Sequence, residues 1–321
     1  MIIDQIHPEL KEAFLLFPES SNSEENIQKI RAARLEQLKK IQALLPKNEN
    51  VTVSRRSIPG LPGDPDVTIY IFQPIKYKTG MPGILHIHGG GLVMGSTESE
   101  EYHCVEYAST LNCTVISPEY RLAPEHKYPA AVNDCYATLI WFAQNATELD
   151  VDADNIIIDG GSAGGCLSAA TTIMARDKNG PKIAAQSLLC PMLDCRCNTP
   201  SCLAISDKHF PYNYEMAVNS WKMYLGEISP DDVSPYASPS LLKDYKGLPP
   251  AVVSVGQLDL FRDETINYVQ ALQQAGVQAE LHVYPGCYHA AEAFGANTEI
   301  VKRNQANHKV ALSNLLNKRY F

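Results

Sequence analysis

The chain has 321 residues, of which 45% are hydrophobic, so it is long enough to bury a sizeable apolar core. Its formal net charge of −9 argues against a nucleic acid or an anionic membrane surface as a partner, because both attract basic faces. The sequence does not open with a basic stretch followed by an apolar one, and it has no run of about 18 apolar residues, so we expect neither a signal peptide nor a membrane span.

Residues 1–50 have the pattern of two helices. The stretch 7–17 predicts a short first helix that Pro18 ends. The stretch 23–45 has apolar residues near helical spacing and predicts a second helix with Pro46 as its stop.

Strand and helix patterns alternate from residue 51 to residue 195. The strand candidates are 66–73, 83–87, 113–117, 155–159 and 185–190, and the helix candidates are 99–110, 129–147 and 163–177. Residues 196–245 interrupt the alternation with prolines, aromatic residues and one predicted helix at 214–225. Residues 246–321 resume it and end in a predicted helix at 297–317. This order predicts an α/β fold with a mostly parallel, doubly wound sheet.

Residues 160–165 read Gly-Gly-Ser-Ala-Gly-Gly and follow the apolar run 156–158. A serine on a sharp turn from a strand into a helix exposes its hydroxyl, as in the G-x-S-x-G nucleophile elbow. The backbone N–H after the serine can then donate to an oxyanion. Ser162 is therefore our candidate nucleophile and Ala163 a candidate oxyanion donor, although this pattern by itself is also typical of a glycine-rich turn.

A second glycine-rich loop, His-Gly-Gly-Gly at residues 88–91, follows another strand candidate. Backbone N–H groups in such a loop can stabilise an oxyanion, each by roughly 3 kcal/mol of barrier. The loop lacks the Lys-Ser or Lys-Thr ending and the G-x-G-x-x-G pattern of phosphate-binding loops. We predict that Gly90 and Gly91 are oxyanion donors, that Gly89 shapes the turn, and that His88 supports the loop rather than acting as a base.

The acid and the base of such a site follow the serine in the chain order Ser, Asp or Glu, His. Asp259 follows a β-branched strand and is the predicted acid. Asp263 is the alternative, but it falls where a helix begins. The helix dipole favours a carboxylate at that end, which explains Asp263 without a catalytic role. His289 follows a strand and is the predicted base, whereas His282 lies within that strand. The predicted triad is Ser162, Asp259 and His289.

The nine cysteines are odd in number, which indicates reduced thiols in a cytoplasmic protein rather than a disulfide framework. The densest group comprises Cys190, Cys195, Cys197 and Cys202. Because the paired C-x-x-C spacing of zinc sites is missing, we expect no metal site in this group. We also expect no cofactor.

Two other cysteines, Cys166 and Cys287, lie beside the predicted nucleophile and base in sequence. They are therefore candidate targets of inhibitory thiol reagents; the alternative is that both are buried and inert.

These motifs together resemble the hormone-sensitive-lipase-like branch of the α/β-hydrolases, which includes bacterial acetyl esterases and carboxylesterases. The matching segments span about two-thirds of the chain: His88–Gly91, Glu119–His126, Gly160–Gly165, Asp259–Asp263 and Tyr284–His289. The sequence departs from the family pattern at Gly161, where an acidic residue is usual, and at Leu92, where an aromatic residue is frequent. It also has Ala290-Ala291 where Gly-Phe usually follows the histidine. None of these departures removes a predicted triad member or oxyanion donor.

The resemblance implies a serine carboxylesterase that hydrolyses short-chain acyl esters, and it allows a homodimer. It also implies an α/β-hydrolase core at residues 51–195 and 246–321, with a helical cap formed by residues 1–50 and an inserted segment at 196–245. The candidate pocket residues are Leu92, Phe210, Tyr212 and Trp221, although each aromatic residue could equally belong to a small satellite core.

Two alternatives remain open at this point. The same triad would serve a deacetylase of a sugar or an arylamide. A non-catalytic binder of small molecules is the alternative from another class, because relatives such as the plant gibberellin receptor keep the serine and lose the histidine. The presence of all three triad residue types counts against such a receptor.

Overall fold

The computed structural model describes residues 2–42 and 48–318. The strands found there are β1 (Val51–Ile58), β2 (Val67–Pro74), β3 (Met81–Ile87), β4 (Thr114–Glu119), β5 (Val151–Gly161), β6 (Ala185–Leu189), β7 (Ala251–Leu258) and β8 (Ala279–Tyr288). They form one sheet in the order β1-β2-β4-β3-β5-β6-β7-β8. The pairings of β1 with β2 and of β2 with β4 are antiparallel, and all others are parallel. The predicted mostly parallel sheet is therefore confirmed.

Helices fill most of the connections between the strands. Those in the described ranges are α1 (Pro8–Leu15), α2 (Ile27–Gln42), α3 (Thr97–Leu111), α4 (Ala130–Gln144), α5 (Ala163–Asp177), α6 (Pro200–Ala204), α7 (Tyr214–Leu225), α8 (Arg262–Gln274), α9 (Ala291–Phe294) and α10 (Glu299–Leu316). The predicted end of the second helix, at Leu45 and Pro46, lies outside the described residues. No helix in the described part of the chain combines the length and apolar sequence that a membrane crossing requires.

The central strands are buried on both faces, which is why their sequences are continuously apolar. Leu85 of β3 belongs to a core cluster with residues of α4 and α5, whereas its neighbour Ile84 belongs to a cluster with residues of α3 and α10. Ile158 and Ile157 of β5 divide between the two clusters in the same way. Helices therefore cover both faces of the sheet, as the doubly wound prediction requires.

The N-terminal helices pack against the segment that interrupts the alternation. The ring centres of Phe14 in α1 and Phe210 lie 4.9 Å apart. The side-chain amide of Asn22 donates to Ser220 Oγ in α7 over 2.9 Å. The guanidinium of Arg31 in α2 donates to the carbonyl of Val93 over 2.7 Å, just beyond the loop that follows β3. These contacts attach the N-terminal segment both to the segment containing α7 and to the loop after β3.

Candidate active site

Ser162 occupies the turn between β5 and α5. Its φ of 56° lies in the left-handed region, which a serine adopts only where the surrounding structure holds it there. Its backbone N–H donates to the carbonyl of Leu189 over 2.8 Å. The glycines on either side allow a close approach, because a Cβ on Gly164 would lie only 2.0 Å from the carbonyl oxygen of Ile87. The elbow geometry expected of this motif is therefore present.

The three predicted triad residues lie in one hydrogen-bonded chain. His289 Nε2 lies 3.0 Å from Ser162 Oγ, and His289 Nδ1 lies 2.8 Å from Asp259 Oδ2. The other carboxylate oxygen, Asp259 Oδ1, accepts from the N–H of Phe261 over 2.9 Å. In the neutral imidazole, Nδ1 donates to the carboxylate and Nε2 accepts from the serine hydroxyl. His289 and Asp259 are both buried, whereas Ser162 at the open end of this chain is half-buried.

The two rival residues have other partners. Both carboxylate oxygens of Asp263 are engaged, one by the backbone N–H of Ser201 over 2.7 Å and the other by Arg262 Nε over 2.8 Å. His282 Nε2 contacts Glu280 Oε1 within β8 over 2.5 Å. The geometry therefore favours Asp259 over Asp263 and His289 over His282.

Burial and neighbouring groups act in opposite directions on His289. Burial lowers the pKa of His289, but the Asp259 carboxylate and the interaction with Cys190 raise it, and the net result lies well above the ordinary 6.5. Burial raises the pKa of the Cys190 thiol above its ordinary 9.0, although His289 opposes that shift. The thiol is therefore neutral at pH 7, which leaves Asp259 as the charge that raises the pKa of His289.

The glycine loop after β3 lies directly beside the nucleophile. A Cβ on Gly89 would lie 3.6 Å from Ser162 Cβ. Gly90 and Gly91 have φ values of 123° and 64°, which strongly favour glycine. Within residues 2–42 and 48–318, no acceptor receives a hydrogen bond from the N–H groups of Gly90, Gly91 or Ala163. These donors are available to a ligand, as an oxyanion hole requires.

His88 holds this loop from below. Its Nδ1 lies 2.8 Å from the carbonyl oxygen of Gly89, which can only accept, so Nδ1 carries the proton. The ring stacks on Tyr120 at 4.1 Å, and the Tyr120 hydroxyl donates to the His88 carbonyl over 2.9 Å. Burial lowers the pKa of His88 to about 4, so the ring is neutral at pH 7. His88 thus has the contacts of a supporting residue.

The four candidate pocket residues differ in their surroundings. The ring centre of Tyr212 lies 5.4 Å from that of His289, and its hydroxyl donates to Ser220 over 2.8 Å. Phe210 packs against Phe14, and Trp221 packs against Tyr224 at 6.1 Å between ring centres. Leu92 is fully buried in the same apolar cluster. Of the four, Tyr212 is the one with a ring contact to the triad.

Cys166 and Cys287 are buried, and burial raises the pKa of both thiols, to about 12 for Cys287. The half-buried Cys190 is the thiol that meets the triad: its sulfur, a His289 ring nitrogen and an Asp259 oxygen all lie within 4.8 Å of one another. Cys190 was not among the predicted site residues; the sequence pattern placed it only in the group of clustered cysteines. The available signal for its position was that it directly follows β6. In the sheet, β6 lies between β5, which precedes Ser162, and β7, which precedes Asp259.

The chain is similar to known hydrolases over most of its length. A family model described as the alpha/beta hydrolase fold matches residues 84–293. The carboxylesterase NlhH of Mycobacterium tuberculosis is 32% identical over 310 residues, which cover 93% of this chain and 96% of the relative. An arylesterase of Saccharolobus solfataricus is 36% identical over 232 residues, covering 71% of this chain and 73% of the relative.

Solved structures give the same result over the whole chain. A bacterial heroin esterase superposes with a TM-score of 0.93 and 39% sequence identity, covering 98% of this chain and 99% of its own. The fold, the order of the motifs and the extent of these matches lead to one conclusion. The chain belongs to the α/β-hydrolases, in the hormone-sensitive-lipase-like branch.

Proposed function

We propose that this protein is a serine carboxylesterase that hydrolyses short-chain acyl esters through a covalent acyl-enzyme. The observation that carries the proposal is the hydrogen-bonded chain from Ser162 through His289 to Asp259. The relatives support the reaction class, because the proteins to which the chain is similar are named as a carboxylesterase, an arylesterase and a heroin esterase.

Acylation begins at the hydroxyl of Ser162. Neutral His289 accepts its proton through Nε2 as the oxygen attacks the ester carbonyl. Asp259 keeps the remaining imidazole proton on Nδ1 and stabilises the imidazolium that forms. The N–H groups of Gly90, Gly91 and Ala163 donate to the negative oxygen of the tetrahedral intermediate, which lowers the barrier.

Deacylation repeats these steps with water. Before it starts, His289 has protonated the departing alcohol, which completes acylation and leaves the acyl group on Ser162 and the imidazole neutral again. The imidazole then accepts a proton from a water molecule that attacks the acyl carbonyl. His289 then returns this proton to Ser162 Oγ as the tetrahedral intermediate collapses. The carboxylic acid departs and the serine hydroxyl is restored, so the cycle consumes one water for each ester.

Residues 1–50 and 196–245 serve as a cap that closes the acyl pocket above the core at 51–195 and 246–321. The contacts of Phe14 and Asn22 with the segment containing α7 support this division. Tyr212, whose ring centre lies 5.4 Å from that of His289, would form the pocket wall beside the triad, and Leu92, Phe210 and Trp221 would shape the pocket from behind. A closed pocket of this kind suits short acyl chains better than an open lipase groove.

The setting we propose is cytoplasmic, supported by nine free cysteines among the described residues. A small-molecule ester is the proposed partner, and the net charge of −9 disfavours nucleic acids and anionic membrane surfaces. The proposal that the protein forms a homodimer rests on the family resemblance. Sedimentation velocity tests it, because a monomer would sediment with a mass of 35.4 kDa and a dimer with twice that mass.

The substrate proposal is tested with p-nitrophenyl esters from acetate to decanoate. We expect kcat/KM to be greatest at the short chains and to fall as the acyl chain outgrows the pocket. A maximum at decanoate would contradict a short, closed pocket. Folded protein that hydrolyses none of these esters would favour a narrow deacetylase, or a binding protein if acetylated sugars and arylamides are also left intact.

A further inference from the structure

Cys190 occupies a position that neither the reaction nor the core packing requires. It follows β6 directly, with a φ of 37° in the left-handed region, and its backbone N–H donates to the carbonyl of Ser254 in β7 over 2.6 Å. This backbone position places the sulfur among the triad. Cys190, His289 and Asp259 each offer one ligand atom, and these three atoms lie within 4.8 Å of one another.

Sulfur, imidazole nitrogen and carboxylate oxygen together form a donor set that suits zinc. In a tetrahedral zinc site the Zn–S and Zn–N distances of about 2.3 and 2.0 Å place the donor atoms roughly 3.5 Å apart. Donors within 4.8 Å therefore need to approach one another by roughly 1.3 Å at most. A fourth position would remain for water, because three protein ligands leave a tetrahedral ion one open site.

We propose that Cys190, His289 and Asp259 form a binding site for a thiophilic divalent cation such as Zn²⁺, and that its occupancy reversibly blocks ester hydrolysis. The inhibitory part rests on the proposed esterase function, whereas cation binding does not. Sequence spacing gave no sign of this site, because its ligands lie 69 and 99 positions from Cys190 and only the parallel strands bring them together.

The chemistry of inhibition follows from the imidazole. If the cation takes Nε2, that nitrogen has no lone pair left for the proton of Ser162. If the cation takes Nδ1, the single proton of the neutral ring moves to Nε2, with the same consequence. In either case His289 is no longer a base. When the cation takes Nδ1, Asp259 also exchanges its hydrogen bond to that nitrogen for a metal bond.

Binding also releases a proton. Cys190 coordinates as a thiolate, so its thiol proton passes to solvent. Where the His289 ring is protonated before the cation binds, it releases a second proton.

Inhibition is tested by titrating wild type and Cys190→Ser with Zn²⁺ in buffer free of chelators and thiols, each normalised to its own metal-free rate. We expect the half-inhibitory concentration to rise at least about 100-fold in Cys190→Ser, because a direct ligand should matter at least as much as the residues that orient ligands. Cys287→Ser is the matched control: it removes a buried thiol two residues from His289 and should behave as wild type. Chelator should restore activity, and Mg²⁺, which prefers oxygen ligands, should not inhibit.

Binding is measured separately with Co²⁺ on the Ser162→Ala variant, which keeps all three ligands. We expect a thiolate-to-cobalt charge-transfer band that saturates at one Co²⁺ per chain and is absent when Cys190→Ser is added. This result stands whether or not the protein is an esterase. Zinc inhibition of equal strength in wild type and Cys190→Ser would overturn the proposal, and so would the absence of a thiolate-to-cobalt band.

Discussion

At the scale of single residues, the assignment of the acid depends on two carboxylates one helical turn apart. Asp259 contacts His289, whereas Arg262 and Ser201 engage both oxygens of Asp263. We expect Asp259→Asn to lower kcat/KM on the order of 10⁴-fold, because an amide no longer holds the required imidazole tautomer. Asp263→Asn should have a far smaller effect. Steady-state kinetics on p-nitrophenyl acetate compares the two, and the reverse ranking would move the role of acid to Asp263.

The raised pKa of His289 predicts the pH dependence of the reaction. The base must be neutral, so activity should fall as the pH drops through the pKa of His289, which lies well above 6.5. The acid limb of kcat/KM should therefore have its midpoint above 6.5. In Asp259→Asn the residual activity should have its midpoint at lower pH, since burial then acts on His289 without the opposing charge. A wild-type midpoint at or below 6.5, unmoved by the substitution, would contradict this account.

The sequence could predict the candidate triad because each member follows a recognisable strand and the three occur in a fixed chain order. It could not predict Cys190 as a neighbour of His289. The strands before these residues, β6 and β8, are separated in the sheet by β7, and that order is a tertiary property. Local sequence around Cys190 shows only other cysteines at unsuitable spacing.

At the scale of elements, the elbow depends on how closely β5 and α5 approach. A Cβ on Gly164 would lie 2.0 Å from the backbone oxygen of Ile87, which cannot move without disturbing β3. A Cβ on Gly161 would meet its nearest atoms, in Leu189, at 3.8 Å, an ordinary contact. We expect Gly164→Ala to lower the free energy of unfolding by about 3 kcal/mol or more, and Gly161→Ala to change it by less than about 1 kcal/mol.

Urea denaturation followed by circular dichroism measures both variants. Equal stability of Gly164→Ala and wild type would show that the strand and the helix are not held as closely as described. A large loss in Gly161→Ala would show that this position, where the family usually has an acidic residue, tolerates no side chain here.

Elements with strong local patterns were predicted closely, and elements without them were not. The helix predicted at 163–177 has those bounds in the structure, because an apolar and small-residue pattern begins at the elbow. Strand β1 was not predicted, because the six residues between Val51 and Ile58 are exposed and give no apolar alternation. Its antiparallel pairing with β2 forms it instead.

At the scale of the whole molecule, the proposed cap and the hydrolase core share one apolar cluster. Phe14, Phe210 and Trp221 belong to the same buried cluster as Leu85 of β3. We therefore expect the cap and the core to unfold together. The boundaries at 50, 195 and 245 would then separate roles in the site rather than independently stable units, and they remain predictions.

The two tryptophans allow a test, because Trp141 lies in α4 of the core and Trp221 lies in α7. Trp221→Phe leaves a core reporter, and Trp141→Phe leaves a reporter in the segment containing α7. In each variant the urea midpoint from tryptophan fluorescence should equal that from far-ultraviolet circular dichroism. A separate, earlier fluorescence transition in Trp141→Phe alone would mean that the cap unfolds before the core.

The central claim is that Ser162 is the nucleophile of an ester hydrolase, and the most direct measurement is turnover of p-nitrophenyl acetate by wild type and Ser162→Ala. We predict that the substitution lowers kcat by roughly 10⁴-fold or more, since only the oxyanion hole and substrate binding remain. Circular dichroism should show that the variant is folded. Near-normal turnover by folded Ser162→Ala would contradict the account.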